Sequence, residues 1–433
     1  MDYISEGSET HDIDRATAES LVESMLESLG PLRRVLLIPP DMTRYHSWSG
    51  ELTQILYARL AVHSEVAILP ATGTHAPMTA VEIATMYGDI PLDAFRVHHW
   101  RDDLVHMGDV PEEFVRELSE GRVAYPIPCL LDRTVVDGNW DCIFSIGQVV
   151  PHEVIGMANH NKNVLIGTGG HETINKTHFL GAVCDMEKIM GHARTPVRAV
   201  LNHMEQEFCS NLPIVYLLTC RGRDEAGKLV TRGLFAGDDA ACFEDAAALS
   251  AKTNLNLLEA PLRKVVVRLE ASEFKSVWLG NKAIYRTRMA MADDGELIVL
   301  APGVKSFGED SEIDTLIRSY GYRGTEATLR AVDNADDLAN NLSAAAHLIH
   351  GSSEERFSIT YCTPEAGSDG HLTREDFEGV GYCYEALESA TARYEAETLR
   401  EGFNRLADGT ELFYISNPGL GLWALQERFA TTE

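Results

Sequence analysis

The sequence predicts an α/β protein of two domains, with largely parallel sheets flanked by helices and an active site in the cleft between the domains. Three observations carry that expectation. Short β-branched runs alternate with amphipathic stretches along most of the chain. At 433 residues there is length for two or three domains of ordinary size. Polar loops containing Gly, Pro, Asp and His follow several of the apolar runs. In a parallel sheet those loops lie at the carboxyl ends of the strands, where ligands bind.

Taken in order, residues 1–20 read as a flexible leader, because they are acidic and polar with no apolar run. Residues 33–38 (RRVLLI) read as a buried strand and 49–61 as a helix behind a serine cap. Residues 65–69 (EVAIL) give the next strand and 79–86 the next helix. Further strands are expected at 95–99, 141–150 and 163–166, with helices at 171–180 and 185–191. The runs 214–219 and 264–269 are strongly β-branched and read as strands. The second half repeats the alternation, with helices expected at 281–292, 315–319, 326–332 and 336–350. Strands are expected there at 296–300, 357–361 and 413–415. The boundary is placed within 271–276, giving an N-terminal domain of residues 21–272 and a C-terminal α/β domain of 273–433.

Composition bounds the function. There are 66 Asp+Glu against 37 Lys+Arg, a formal net charge of −29. That balance argues against nucleic acid and anionic lipid as partners, since both need a basic face. A single anionic ligand in a local basic pocket remains compatible with it. No apolar run reaches the ~18 residues of a bilayer span, and the N-terminus lacks the basic and apolar regions of a secretory signal. The eight cysteines form no CxxC pair, which fits reduced thiols and a cytoplasmic location.

The chemistry-bearing residues are unevenly placed. Six of the 16 histidines lie between His152 and His203, where an even spread would give about two. Pro39-Pro40-Asp41-Met42-Thr43-Arg44 follows the first strand, and Asp, Thr and Arg on one turn can cradle a phosphate or carboxylate. Ala71-Thr72-Gly73-Thr74-His75 follows the second strand and sets His75 on the same edge. Val97-His98-His99 ends a third run, where packing is the plainer role for at least one ring. Pro151-His152 leaves the next strand, and Lys162 sits in a polar loop beyond it. His171 and His178, seven apart, would share one helix face. Gly167-Thr168-Gly169-Gly170 does not complete GxGxxG, and no HExxH zinc motif is present.

Together these segments resemble the nickel-pincer lactate racemase family. The family carries Asp-x-Thr-Arg, Gly-Thr-His and Pro-His segments, a Lys ten residues after the last His, and a further His sixteen after the Lys. Here they stand as Asp41/Thr43/Arg44, Gly73-Thr74-His75, Pro151-His152, Lys162 and His178. The resemblance covers roughly residues 33–305. It implies a racemase or epimerase that inverts C2 of a 2-hydroxy acid by reversible hydride transfer through a transient 2-keto acid. The implied cofactor is a nickel-pincer nucleotide, a pyridinium thioamide-thiocarboxylic acid mononucleotide. It would be joined covalently to Lys162, with His178 as the protein's nickel ligand, within the N-terminal cofactor-binding and catalytic domain. His75 and His152 would be the acid/base pair, with His98 or His99 competing for the place of His75. Asp41, Thr43 and Arg44 would hold the cofactor, and Arg44, Lys282 and Trp278 the substrate. Cofactor-biosynthesis enzymes are implied partners.

Two departures from the family pattern bear on this. Members that use lactate tend to have an amide where Leu279 stands here, and the residues before the lysine are commonly glycine-rich, whereas this chain has Asn159-His160-Asn161. The first leaves open the same chemistry on a sugar acid. From other classes, a zinc-dependent hydrolase or lyase on the same histidines, and a cofactor-storage protein, remain alternatives.

Overall fold

The structure is a computed structural model and describes residues 2–365 and 370–430. It divides into two compact units. The first comprises Met1–Leu180 and Ile189–Asn254; the second comprises Gly181–Lys188 and Leu255–Glu433.

The first unit is built on a six-stranded sheet. Its strands are β1 (Asp2–Gly7), β2 (Arg34–Ile38), β3 (Glu65–Ile68), β4 (Cys142–Gln148), β5 (Ile214–Arg223) and β6 (Leu229–Gly237), in the order β1-β6-β5-β4-β2-β3. The pairs β2–β3, β2–β4 and β4–β5 are parallel, whereas β5–β6 and β6–β1 are antiparallel. Val35, Leu36, Leu37 and Ile38 of β2 are all fully buried. A strand apolar on both faces belongs in the middle of a covered parallel sheet. Helices α1 (Arg15–Leu29) and α2 (Ser49–Leu60) place Val22, Met25, Leu52 and Leu56 in one core with Val35, Leu37, Phe144 and Leu217. Helix α3 (Ala80–Tyr87) starts in a capping box between Thr79 and Glu82.

The second unit has its own six-stranded sheet. Strands β7 (Leu262–Arg268), β8 (Met291–Leu300), β9 (Phe357–Thr363), β10 (Cys383–Ala386), β11 (Gly402–Arg405) and β12 (Glu411–Ile415) run in the order β10-β9-β8-β7-β12-β11. All its pairings are parallel except β11–β12. The expected α/β class with largely parallel sheets and flanking helices therefore holds in both units.

Four local expectations are corrected. The segment read as a free leader carries β1, whose backbone pairs along β6, and α1 already begins at Arg15 with Asp14 as its cap. Alternating polar side chains on an edge strand look like disorder in composition. Residues 95–99 form no strand; Phe95 makes a single bridge to Ile68 and the chain then turns away. Residues 163–166 belong not to a strand but to a short helix, α4 (Asn161–Leu165). A four-residue apolar run fits either element by periodicity. Finally, the units divide at Asn254/Leu255 rather than near 272, because Leu255–Leu258 pairs with Leu422–Leu425 and β7 lies within the second sheet.

One hydrogen bond links the core to the sheet edge used below. The buried Tyr87 hydroxyl donates to the carbonyl of Pro40, immediately before Asp41. Tyr87→Phe leaves that carbonyl unpaired, and urea denaturation should show a loss of about 1–2 kcal/mol.

Candidate active site

Because β2, β3 and β4 run parallel, the loops that follow them emerge on one edge. Three hydrogen bonds tie these loops to one another. Asn163 Nδ2 donates to Ile38 O at 2.7 Å, Gly73 N–H to Gly167 O at 2.8 Å, and Ala71 N–H to Pro39 O at 2.7 Å. On this edge the structure gathers Asp41, Thr43, Arg44, His75, His152, Lys162 and His178, all in the first unit. Trp278 and Lys282 lie in the second unit, on the short helices Val277–Gly280 and Lys282–Thr287.

Asp41 ends the extended segment and caps a 3-10 turn, accepting from Thr43 N–H at 3.1 Å and from the Thr43 hydroxyl. Its other oxygen lies 2.7 Å from His75 Nδ1. Burial raises the Asp41 carboxyl, but the hydrogen bonds from His75 and Thr43 outweigh it and hold the group below the usual carboxylate range. The carboxylate fixes the proton on Nδ1 of the exposed His75 ring, and His75 Nε2 makes no hydrogen bond among the described residues. That arrangement leaves a basic nitrogen open to a ligand.

His152 is set differently. It is buried, and its Nδ1 accepts from Val154 N–H at 3.1 Å, so the neutral ring carries its proton on Nε2. Burial pushes its pKa well down, and the charges of Lys162 and Arg44 push the same way.

Lys162 is half-buried on the first turn of α4. Its amine makes no hydrogen bond or ion pair among the described residues, and neither does the Arg44 guanidinium. Burial, then the charge of Arg44, lowers the amine to about 8. A lysine so placed has an appreciable neutral, nucleophilic fraction near neutrality. His178 donates through Nδ1 to Ile174 O at 2.6 Å on its own helix, α5 (His171–Val183). Burial, then Lys162, lowers it to about 4. The ring is thus neutral, with its Nε2 lone pair available as a ligand.

These properties fit the cofactor implied by the sequence. Lys162 offers an amine for acylation, His178 one imidazole nitrogen, and Arg44 an unpaired cation for an anionic group. Among the described residues no three His, Cys, Asp or Glu side chains converge as a metal-binding group. A catalytic zinc site would need three such ligands.

The histidines that competed with His75 separate on burial. His98 is fully buried, with Nδ1 2.7 Å from Asp132 Oδ2 and Nε2 3.0 Å from Gly169 O. Both ring nitrogens are occupied by protein partners, and neither is left for a ligand. This pair pins the turn between α4 and α5. His99 is exposed.

Sequence reasoning missed the group behind Lys162. Asn159 and His160 have positive φ, 66° and 58°, a conformation costing non-glycine residues of order 1–3 kcal/mol each. Buried Arg198, on α6 (Pro196–Phe208), hydrogen bonds to this turn. Its one signal in sequence is a charge set next to Val197 on a helix whose Val197, Val200, Leu201 and Met204 are buried.

Comparison with known proteins accords with this geometry. A family model described as the lactate racemase N-terminal domain matches residues 3–191. The lactate racemase of Lactiplantibacillus plantarum is 27% identical over 184 residues, 41% of this chain. That match spans 40% of the relative's own length. A Thermotoga maritima protein solved by a structural genomics consortium superposes over 96% of this chain and 99% of its own, with TM-score 0.78 and 23% identity. The lactate racemase apoprotein of Thermoanaerobacterium thermosaccharolyticum superposes over 92% of this chain and 88% of its own, with TM-score 0.66 and 15% identity. At these identities the two structures establish the fold. The class so defined is a two-unit α/β protein with an imidazole- and cation-lined site at the carboxyl edge of its first sheet. Residues 3–191 are thus similar to the N-terminal domain of lactate racemases.

The buried pair beneath the site has a pH signature. The Asp132 carboxyl is raised by burial but lowered further by its bonds to His98 and Thr134, so its folded pKa lies below the unfolded value. Its contribution is therefore complete above about pH 4 and lost as pH falls through the folded value. Asp132→Asn should cost roughly 1–3 kcal/mol at pH 7, because it replaces the carboxylate that the buried His98 ring and Thr134 N–H bond to with a weaker amide acceptor. Urea midpoints should show that difference narrowing at pH 3.

Proposed function

We propose that this protein is a racemase or epimerase that inverts C2 of a 2-hydroxy acid with a nickel-pincer nucleotide attached to Lys162. The observation that carries the reading is the half-buried, unpartnered Lys162 amine, electrostatically coupled to Arg44 and to the neutral rings of His152 and His178. In a chain of net charge −29, two unpaired cations beside neutral imidazoles suit an anionic ligand. His178 is assigned as the nickel ligand, and Asp41, Thr43 and Arg44 to the cofactor. Arg44, Trp278 and Lys282 are assigned to the substrate.

Bound there, the nucleotide would supply a reversible hydride acceptor for the C2–H bond. The chain's own residues manage the proton and the charge. His75 Nε2 takes the hydroxyl proton, and Asp41 stabilises the imidazolium that results. His152 would be the second acid/base group, on the opposite face. With its proton moved from Nε2 to Nδ1 and Val154 N–H released, Nε2 takes the hydroxyl proton of the other stereoisomer, and the resulting imidazolium returns it to the keto oxygen. Arg44 holds the substrate carboxylate. Leu279, standing where lactate-using members carry an amide, favours an acid other than lactate, and a polyhydroxylated sugar acid is the first alternative to screen.

Two measurements test the reading. Protein made with the cofactor-biosynthesis enzymes should gain the mass of one mononucleotide and about one nickel per chain, and Lys162→Ala should abolish both. No adduct and no nickel on the wild type would overturn the proposal. For the acid/base pair, loaded His75→Ala and His152→Ala should each lose inversion by at least ~100-fold, the scale of a general acid or base. Each should retain single-turnover oxidation of only one stereoisomer, and of opposite ones. Loss of both stereoisomers in either variant would remove the two-face assignment.

A further inference from the structure

The turn that delivers Lys162 is held by a polar group with no role in the reaction as outlined above. Arg198 donates through Nη2 to Met157 O at 2.6 Å, and through Nη1 to Asn159 O at 3.2 Å and to Asn161 Oδ1. One guanidinium therefore reads residues 157, 159 and 161, alternate positions leading straight to Lys162. Asn161 Nδ2 in turn donates to Asn202 Oδ1 and Glu205 Oε2, each at 2.8 Å, and the Tyr216 hydroxyl donates to the other Glu205 oxygen. The His160 ring is held between Tyr216 and Phe243, with centroids 3.7 and 5.1 Å away. Gly147 completes the fit, since a Cβ there would stand 1.6 Å from Asn159 Nδ2.

Arg198 is 3% exposed and forms no ion pair among the described residues; Glu205 acts on its charge through space and is joined to it by hydrogen bonds through Asn161. Burying a guanidinium that has no ion-pair partner costs stability, even with Glu205 acting through space and the Phe243 ring 4.2 Å away, and an apolar residue at that point of α6 would serve packing better. What the guanidinium supplies is a planar fork matched to three acceptors in fixed places, which an ammonium cannot copy.

We propose that Arg198, acting with Asn161 and Glu205, is a positioning residue that fixes the 157–161 turn and so places the Lys162 amine for attachment of the nucleotide. The first readout below is independent of the cofactor; the second rests on the function proposed above.

The test uses the full-length apoprotein. The rate of Lys162 acetylation by an N-hydroxysuccinimide acetate is compared with that of exposed Lys228 by peptide mass spectrometry, with thermal melts confirming cooperative folding. Arg198→Met and Asn161→Asp should each raise the Lys162 rate relative to Lys228 at least fivefold. The double substitution Asn161→Asp with Glu205→Gln should return it to within twofold of wild type. It keeps an acceptor for Arg198 and puts an amide donor where a carboxylate would repel. Should Arg198→Met fail to fold, Asn161→Asp and its rescue decide alone. After expression with the cofactor-biosynthesis enzymes, adduct occupancy should fall at least tenfold in the single variants and recover in the double. Unchanged labelling in the single variants overturns the positioning role, and so does a rise that the double substitution does not reverse. A wild type without adduct overturns the cofactor reading, while labelling still judges Arg198.

Discussion

Everything at this site depends on β2 having a parallel neighbour on each side. Parallel pairing of β2 with β3 and with β4 sends three successive loops to one edge. Without it Asp41, His75 and His152 would have no reason to meet. The edge is then locked by backbone and amide bonds rather than by charge. Asn163 reaches the last carbonyl of β2, Gly73 reaches Gly167, and Tyr87 holds Pro40 from below. Such bonds are worth about 1 kcal/mol each, but leaving their buried groups unpaired costs more. The loops therefore have little freedom to drift apart.

Onto that frame the chain sets two kinds of imidazole. His75 is 60% exposed and relies on Asp41 for its tautomer. So exposed an ion pair adds little stability through solvent, and its value is orientation. His152 and His178 are governed by desolvation, the largest influence on each, with neighbouring cations acting in the same direction. Neutral rings result without any carboxylate to fix them. Burial can keep a histidine neutral, but only a charged partner can hold its proton on a chosen nitrogen when water has access.

Much of this was legible in the sequence. β2, β3, α2, α3 and β5 declare themselves by apolar runs and caps, and the loops after the first strands carry the polar residues that the structure gathers. What could not be read has physical causes. The run at 163–166 is too short for periodicity to separate helix from strand, and here the choice is set by the polar anchors Asn161 and Asn163. His98 looked equivalent to His99 because adjacent residues share a composition but not a burial. Its acceptors, Asp132 and Gly169, lie 34 and 71 positions away. The first strand was hidden because an edge strand draws its stability from backbone pairing, which side chains do not advertise.

The turn before Lys162 shows how a local rule can be broken and compensated. Positive φ at two successive positions ordinarily selects glycine, which adopts it freely but pays in chain entropy. Asn159 and His160 adopt it under constraint. Asn159 Oδ1 accepts from His160 N–H at 2.8 Å, the His160 ring is held between aromatic faces, and Arg198 takes the carbonyls. Strain persists only where the surroundings over-determine it, and here a buried guanidinium, two asparagines and a glutamate do so. A glycine turn would be cheaper to form and easier to deform. This one gives up that ease for a backbone that returns to one conformation, the property that the attachment proposed above would require of the turn before Lys162.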